Sequence, residues 1–169
     1  IQNFFLRCFD DNIVIKGLSP FYVDEHKVVE NIYVSNCVIW NDWGQALEIG
    51  AETVADEIRN VNYDSCHIIH YTFNALDIQN TDMAHVHDVH YSNIYIEEPI
   101  YENASLCGEP MDARGFGRVI NITINPTRYS AVETSGRVSR ITYENIHYSG
   151  SHQTGINFNG MSSACNITD

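Results

Sequence analysis

The sequence has no apolar run that approaches the ~18 residues of a membrane-spanning helix. Basic residues are also scarce, since 9 Lys and Arg stand against 22 Asp and Glu and give a formal net charge of −13 at pH 7. Binding to a phosphate backbone needs a basic face, which this composition does not favour. We therefore expect neither a membrane nor a nucleic acid among the partners of this protein.

Patterns typical of a metal or disulfide site are few. The five cysteines form no C-x-x-C pair, and their odd number fits neither a disulfide framework nor a zinc knuckle. His85 and His87 share a strand face near Asp88 and His90, as a two-histidine metal site would require. Surface or corner histidines are the favoured interpretation, so no metal or other cofactor is expected.

The length of 169 residues, 44% of them hydrophobic, suits one domain with a substantial core. The chain begins with Ile1 rather than Met, inside a segment that is already patterned. We therefore expect residues 1–169 to form a single domain that is a piece of a longer protein. The expected truncation is at the N-terminus, and the sequence leaves open a second one at the C-terminus.

An internal repeat organises most of the chain. Residues 31–50 and 60–79 align without a gap at an offset of 29, so that Asn31 meets Asn60 and Cys37 meets Cys66. The second half of the repeat returns at residues 155–160. The pattern predicts that successive repeats begin at Asn31, Asn60, Asp88, Asn121, Arg140 and Asn166.

Each repeat contains short strands of alternating hydrophobicity and almost no helix-period pattern. Irregular spacing with constant strand signatures is typical of stacked parallel strands, because connections can lengthen while the strands stay in register. A β-propeller needs longer four-strand units, and a β-sandwich would not show ladders in one register. We therefore predict an all-β chain folded as a right-handed parallel β-helix of about five turns.

Two columns of the repeat have distinct characters. The positions of the first column are apolar and predict inward packing, so Cys37 and Cys66 are expected to fill the core. The positions just before them are polar and predict a stacked corner. The first column contains Cys37, Cys66, Ile94 and Ile146, and the second contains Asn36, Ser65, Asn93 and Asn145.

Asp10 and Asp11 precede a strand in which Ile13 and Ile15 face one side. Two adjacent carboxyl groups at the start of a strand influence each other's ionisation. A coupled acid pair is what hydrolysis of a glycosidic bond requires. An Asp-rich turn is the alternative interpretation of such a pair, but the surrounding repeat favours a site.

Aligning this strand with the repeat places Asp11 beside Gln45 and Asn74, and Val14 beside Glu48 and Asp77. Groups on neighbouring strands lie about 4.8 Å apart, within one or two sugar units of each other. Trp43 is a candidate for stacking on a sugar, although an aromatic residue there can also belong to the core. The predicted face comprises the catalytic candidates Asp10 and Asp11 and the substrate-binding candidates Gln45, Glu48, Asn74, Asp77, Gln79 and Trp43.

The segments 10–15 and 44–50 resemble the polygalacturonase-like glycoside hydrolases, family 28 and the related dextranase and isopullulanase family 49. The resemblance covers roughly residues 3–96. It implies a right-handed parallel β-helix, inverting hydrolysis, and a secreted or extracellular protein, with the periplasm as an alternative. It also implies that Asp10 is the general acid and that Asp11 helps to activate water, while a third aspartate one repeat earlier is absent from this chain.

Two departures from that family bear on the substrate. Gln45 stands where polygalacturonases have a histidine, and Asp77 and Gln79 stand where they have an Arg and a Lys that hold a uronate carboxylate. An acidic residue repels such a carboxylate, whereas amides and carboxylates suit sugar hydroxyls. We therefore expect a neutral polysaccharide or oligosaccharide as the substrate.

A non-catalytic glycan-binding β-helix, such as a phage-tail or adhesin module, is the alternative function. A polysaccharide lyase is less favoured, because the predicted face offers few basic groups. The sequence leaves open the sugar, its linkage, endo or exo action, and the oligomeric state.

Overall fold

The computed structural model describes residues 1–17, 28–97, 105–106, 109–110, 117–150 and 154–169. Within these ranges the regular secondary structure is entirely β-strand, as the alternating pattern predicts. The described ranges contain no helix with the length and hydrophobicity of a membrane span. The strands are β1 Phe5–Cys8, β2 Ile13–Gly17, β3 Val29–Ser35, β4 Val38–Asn41, β5 Leu47–Thr53, β6 Glu57–Asp64, β7 His67–His70, β8 Asn74–Asn80, β9 His85–Glu97, β10 Ser105–Leu106, β11 Glu109–Pro110, β12 Arg118–Ile124, β13 Arg137–Ser149, β14 Ile156–Asn159 and β15 Ile167–Thr168.

Two parallel sheets contain all of these strands except β10 and β11. The first sheet has the order β1-β4-β7-β9-β13-β15, with β3 paired to β6 and β6 paired to β9. The second sheet has the order β2-β5-β8-β12-β14. Strands β10 and β11 form a separate antiparallel pair. The prediction of an all-β chain with parallel strand stacking is therefore confirmed.

The predicted register of the second sheet is correct. Ile13 pairs with Leu47 and Leu47 pairs with Leu76. In the same way Val14, Glu48 and Asp77 lie opposite one another on neighbouring strands. Because side chains alternate along a strand, this register aligns the apolar residues on one face and the polar residues on the other.

Two of the predicted repeat starts are wrong. Asn121 belongs to the second sheet, where it pairs with Asp77 and Asn157. Ile167, which follows Asn166, pairs with Val138 rather than with Ile141. The Asn-Ile-Thr triplets at both places have the alternation of the first strand of a repeat, but alternation alone suits either sheet.

The starts at Asn31, Asn60, Asp88 and Arg140 are supported by the backbone. These four residues all have φ values between 51° and 61°, in the left-handed region. Asn and Asp tolerate this conformation better than most residues because their short side chains form local hydrogen bonds. Each residue therefore marks the same bend in successive repeats.

The predicted polar corner is a second column of left-handed residues, with φ values of 51° to 53°. Asn145 Nδ2 donates to Asn93 Oδ1 at 3.1 Å, and Asn93 Nδ2 donates to Asp64 Oδ1 at 2.8 Å. These amide hydrogen bonds connect one repeat to the next. The column comprises Asn36, Ser65, Asn93 and Asn145.

The core lies between the two sheets. Cys37 and Cys66 are buried, as predicted, and Ile94 continues their column. Beside them Tyr63, Tyr91 and Tyr143 stack with ring centroids 4.8 and 5.1 Å apart. Stacking of identical side chains at this spacing follows from the distance between neighbouring parallel strands.

His85 and His87, of the histidine cluster noted in the sequence, form hydrogen bonds with protein side chains. His87 Nδ1 lies 2.7 Å from Asp88, and His85 Nε2 lies 2.8 Å from Ser139 Oγ. Arg140 Nε donates to Asp88 at 2.7 Å and, with His87, holds the pKa of Asp88 well below its usual range. These groups connect β9 to β13.

Candidate functional site

Amide side chains fix the turn between β1 and β2 that carries the acid pair. Asn12 Nδ2 donates to Leu6 O at 3.3 Å and to Trp40 O at 3.2 Å. Asn41 Nδ2 donates to Asp10 O at 2.7 Å. Asn12 and Asn41 lie on different repeats, so these hydrogen bonds hold the acid pair against the next strand of the sheet.

Asp10 and Asp11 differ in their surroundings. Asp10 is exposed, and its Oδ1 accepts a hydrogen bond from Asp11 N at 2.9 Å. Asp11 is half-buried, and its Oδ1 accepts one from Gln45 N at 2.7 Å. The backbone of the next repeat therefore orients the Asp11 carboxyl group, while the Asp10 carboxyl group remains open to a ligand.

Gly44 makes this arrangement possible. Its φ of 95° lies in the left-handed region, and a Cβ atom there would lie 2.3 Å from Asp11 Oδ1. We expect Gly44→Ala to lower the free energy of unfolding by about 1–2 kcal/mol from backbone strain alone, and to displace Asp11.

Urea denaturation of Gly44→Ala tests this prediction. Gly155→Ala is the matched control, because a Cβ atom at Gly155 would have its nearest neighbour 3.9 Å away, at Arg118 Cγ. Equal stability changes in the two variants would contradict the prediction.

A cleft of about 280 Å³ opens beside the acid pair. It brings together six of the eight predicted site residues, which are Asp10, Asp11, Trp43, Gln45, Glu48 and Gln79. Among the described lining residues the cation is Lys16, whose Nζ lies 2.5 Å from Glu52 Oε2. Because Lys16 is paired in this way, the cleft is acidic overall.

Glu48 is almost fully buried at the base of this cleft, with 2% of its surface exposed. Its Oε1 accepts a hydrogen bond from Gln79 Nε2 at 3.1 Å, whereas its Oε2 has no donor within the described part of the chain. Burial is the largest cause that raises the pKa of Glu48 to about 10. Repulsion by Asp77 and Asp11 and a hydrogen bond to the Asp11 carboxyl group add to the rise. Glu48 is therefore a neutral acid at pH 7, and its O–H can donate a hydrogen bond to the Asp11 carboxylate.

Asp77 pairs with Glu48 on the neighbouring strand, is fully buried and does not line the cleft. Burial raises its pKa to about 6, and hydrogen bonds from three amides oppose the rise. The donors are Asn121 at 2.7 Å, Gln79 at 2.8 Å and Asn74 at 3.1 Å. Two adjacent carboxyl groups do not both ionise easily, and Asp77 has the more donors. The negative charge therefore resides on Asp77 and the proton on Glu48.

Trp43, the predicted aromatic site residue, lies at the cleft but exposes only 7% of its surface. It packs edge-on against Phe73, with ring centroids 4.8 Å apart. Trp40 stacks on His70, and Tyr71 is fully buried. Contact between Trp43 and a sugar stays a prediction, because its ring is mostly covered by protein.

Tyr129 is a residue of the cleft that the sequence did not single out. It is 50% exposed and lines the same cleft as Asp10 and Asp11, although it lies more than 100 residues further along the chain. Buried Asp82 holds its loop, because Asp82 Oδ1 accepts hydrogen bonds from Ala131 N at 2.7 Å and Val132 N at 3.0 Å. The repeat has no counterpart of this loop, so no sequence alignment between repeats could have found it.

A second depression of about 430 Å³ adjoins the cleft and shares Gln45, Phe73 and Gln79 with it. Asn74, a predicted site residue outside the cleft, lines this depression. The predicted residues thus fall into three groups: six, including the acid pair, line the cleft, Asn74 lines only the second depression, and Asp77 is buried and lines neither. Comparisons of the chain with protein-family models, with curated proteins and with solved structures found no match.

Proposed function

We propose that this chain is part of an inverting glycoside hydrolase and that its two parallel sheets are faces of a right-handed parallel β-helix. Parallel pairing of strands from successive repeats supports the fold, and a right-handed connection is the usual one between parallel strands. The proposal includes the secreted or extracellular location, or a periplasmic one, that a polysaccharide substrate implies.

The observation that carries the proposed activity is the placement of Asp10 and Asp11 at an acidic cleft. In the proposed roles, exposed Asp10 donates a proton to the glycosidic oxygen. Asp11, oriented by Gln45 N, accepts a proton from the attacking water. An inverting reaction needs carboxyl groups roughly 6.5–9.5 Å apart across the bond, with the water between.

Glu48 supports the assignment of roles within this cleft. A neutral carboxyl group cannot serve as the base, so the base is sought among the cleft residues that are not buried. The proton on Glu48 removes the repulsion that an ionised Glu48 would exert on Asp11. Glu48 therefore acts as a positioning residue for Asp11.

The charge of the cleft favours a neutral glycan. Asp77 and Gln79 occupy the positions that a uronate clamp would need, and Asp77 is fully enclosed by amide donors. The Lys16 ammonium is paired with Glu52. Among the described residues of this cleft, a galacturonate carboxylate would therefore meet acidic groups and no unpaired cation.

Release of reducing ends from dextran, pullulan, arabinan, galactan and polygalacturonate tests the proposal. Cleavage of a neutral glycan with inversion at the anomeric carbon is expected, and NMR of the first product formed reports the anomer. Cleavage of polygalacturonate alone would contradict the proposed substrate class. Binding of a glycan without any turnover would instead favour the non-catalytic glycan-binding module.

A further inference from the structure

The depression that adjoins the acidic cleft, here called the amide groove, has a different chemistry. Its lining contains no carboxylate among the described residues, and Arg118 is its charged residue. The other polar groups are amides and hydroxyls from β8, β12, β14, the segment before β5 and the segment after β12. They are Gln45, Asn74, Gln79, Asn121, Thr123, Asn125, Thr127, Asn157 and Asn159.

The strand register explains why these groups form a regular surface. Asn121 pairs with Asn157, and Thr123 pairs with Asn159. Positions two apart on a strand share a face, so both pairs lie on the outer side of the second sheet. From β8 to β14 there are two strand steps of about 4.8 Å, a distance of roughly two sugar rings.

The two pairs have different roles: Asn121 and Asn157 form the floor of the groove, and Thr123 and Asn159 are available to a ligand. Asn157 Nδ2 donates to Asn121 Oδ1 at 2.8 Å, and Asn121 Nδ2 donates to Asp77 Oδ1 at 2.7 Å. These hydrogen bonds hold the floor of the groove in a fixed orientation. Thr123 is half-buried and Asn159 is exposed, so this pair can contact a ligand.

Asn74 provides an independent indication of a ligand. Only 6% of its surface is exposed, and its Nδ2 donates to Asp77. Its Oδ1 is buried without a hydrogen-bond donor among the described residues. An amide oxygen left unpaired at the edge of a polar groove has a demand for a donor, which a sugar hydroxyl satisfies.

We propose that the amide groove binds about two units of a neutral, hydroxyl-rich glycan on the β14 side of the acid pair. This inference rests on the proposed function for its position, because the shared residues Gln45, Phe73 and Gln79 connect the groove to the acid pair. The scissile bond then lies at one end of the groove. Recognition increases with the length of the glycan on that side.

Binding measured in the Asp11→Asn background tests this inference separately from turnover. The probes are isomalto-, malto-, arabino- and galacto-oligosaccharides of two, four and six units, with oligogalacturonates of the same lengths. The groove variants are Thr123→Val and Asn159→Ala. Thr142→Val is the matched control, because Thr142 lies on strand β13 of the other sheet.

We expect each groove variant to bind the preferred neutral tetramer and hexamer about five- to tenfold more weakly, as the loss of a hydrogen bond to a ligand predicts. A dimer that spans the acid pair places at most one unit in the groove, so its binding should change by no more than about twofold, and Thr142→Val should match the parent. Equal losses in the control, or losses independent of chain length, would overturn the inference.

Three further outcomes separate the inference from the proposed function. Binding that depends on the groove, with no glycan cleaved by the unmodified protein, keeps the groove and overturns the activity. Cleavage of a neutral glycan that the groove variants bind normally keeps the activity and overturns the groove. Preferred binding of oligogalacturonates that is lost in Arg118→Gln overturns the neutral ligand class.

Discussion

Replacing Asp11 with Asn is expected to lower kcat on the cleaved glycan by about 10²–10⁴-fold, the usual contribution of a general acid or base. Asp10→Asn should have an effect of the same order. Asparagine keeps the shape of the side chain, and its Oδ1 can accept the hydrogen bond from Gln45 N that orients Asp11. The loss should therefore reside in the chemical step and leave the fold intact. Reducing-end release at saturating substrate measures kcat.

Asp42→Asn is a suitable control for disturbance of this region. Asp42 is bound by Arg7 at 2.7 Å and by Trp40 Nε1 at 2.8 Å on a neighbouring turn, and it does not line the cleft. We expect this variant to retain kcat even where its stability falls. Turnover near the wild-type rate in both Asp10→Asn and Asp11→Asn would exclude the acid pair as the catalytic groups.

Glu48→Gln is expected to have a higher free energy of unfolding than the wild type, and the difference should grow as the pH rises. In the folded chain the pKa of Glu48 is raised from 4.5 to about 10, so the folded state holds a proton that the unfolded state releases. Wild-type stability should therefore fall with increasing pH between about 4.5 and 10, by at most ~1.4 kcal/mol per pH unit from this group. Glutamine cannot ionise, and it can still accept the hydrogen bond from Gln79.

The measurement is urea denaturation of both proteins at pH 5, 6, 7 and 8. We expect near equality at pH 5 and a difference on the order of 2–3 kcal/mol in favour of Glu48→Gln at pH 7. Asp77 acts in the same direction in both proteins, over the narrower interval from 3.8 to about 6. Glu133→Gln, at an exposed position, is the control. Parallel pH profiles for Glu48→Gln and wild type would show that Glu48 is ionised in the folded state.

The register of the second sheet could be predicted from the sequence because its repeats align without a gap. The apolar alternation of Ile13, Leu47 and Leu76 then fixed which polar residues are neighbours, including Glu48 and Asp77. Asn121 was misplaced because Asn-Ile-Thr fits the alternation of either sheet.

The burial of Glu48 and Asp77 could not be predicted from the sequence. Alternation assigns both to the polar face of a strand, where exposure is the ordinary expectation. What encloses Asp77 is a set of amides that includes Asn121, which lies 44 residues further along the chain. Tyr129 was missed for a related reason, since the residue that holds its loop, Asp82, lies between two strands of another repeat.

The connection before β12 shows how two repeats of different length can share one strand framework. His67 and Ile68 pair with Tyr95 and Ile96, and Asn74 pairs with Arg118, so β7-β8 and β9-β12 are equivalent parts of two repeats. Residues 71–73 make the first connection, whereas residues 98–117 make the second. An insertion at this junction leaves both strand registers unchanged and re-enters the sheet at Arg118, on the border of the amide groove. Natural variation or engineering at this junction can therefore change the chain that leads into Arg118 while the paired strands of the second sheet keep their register.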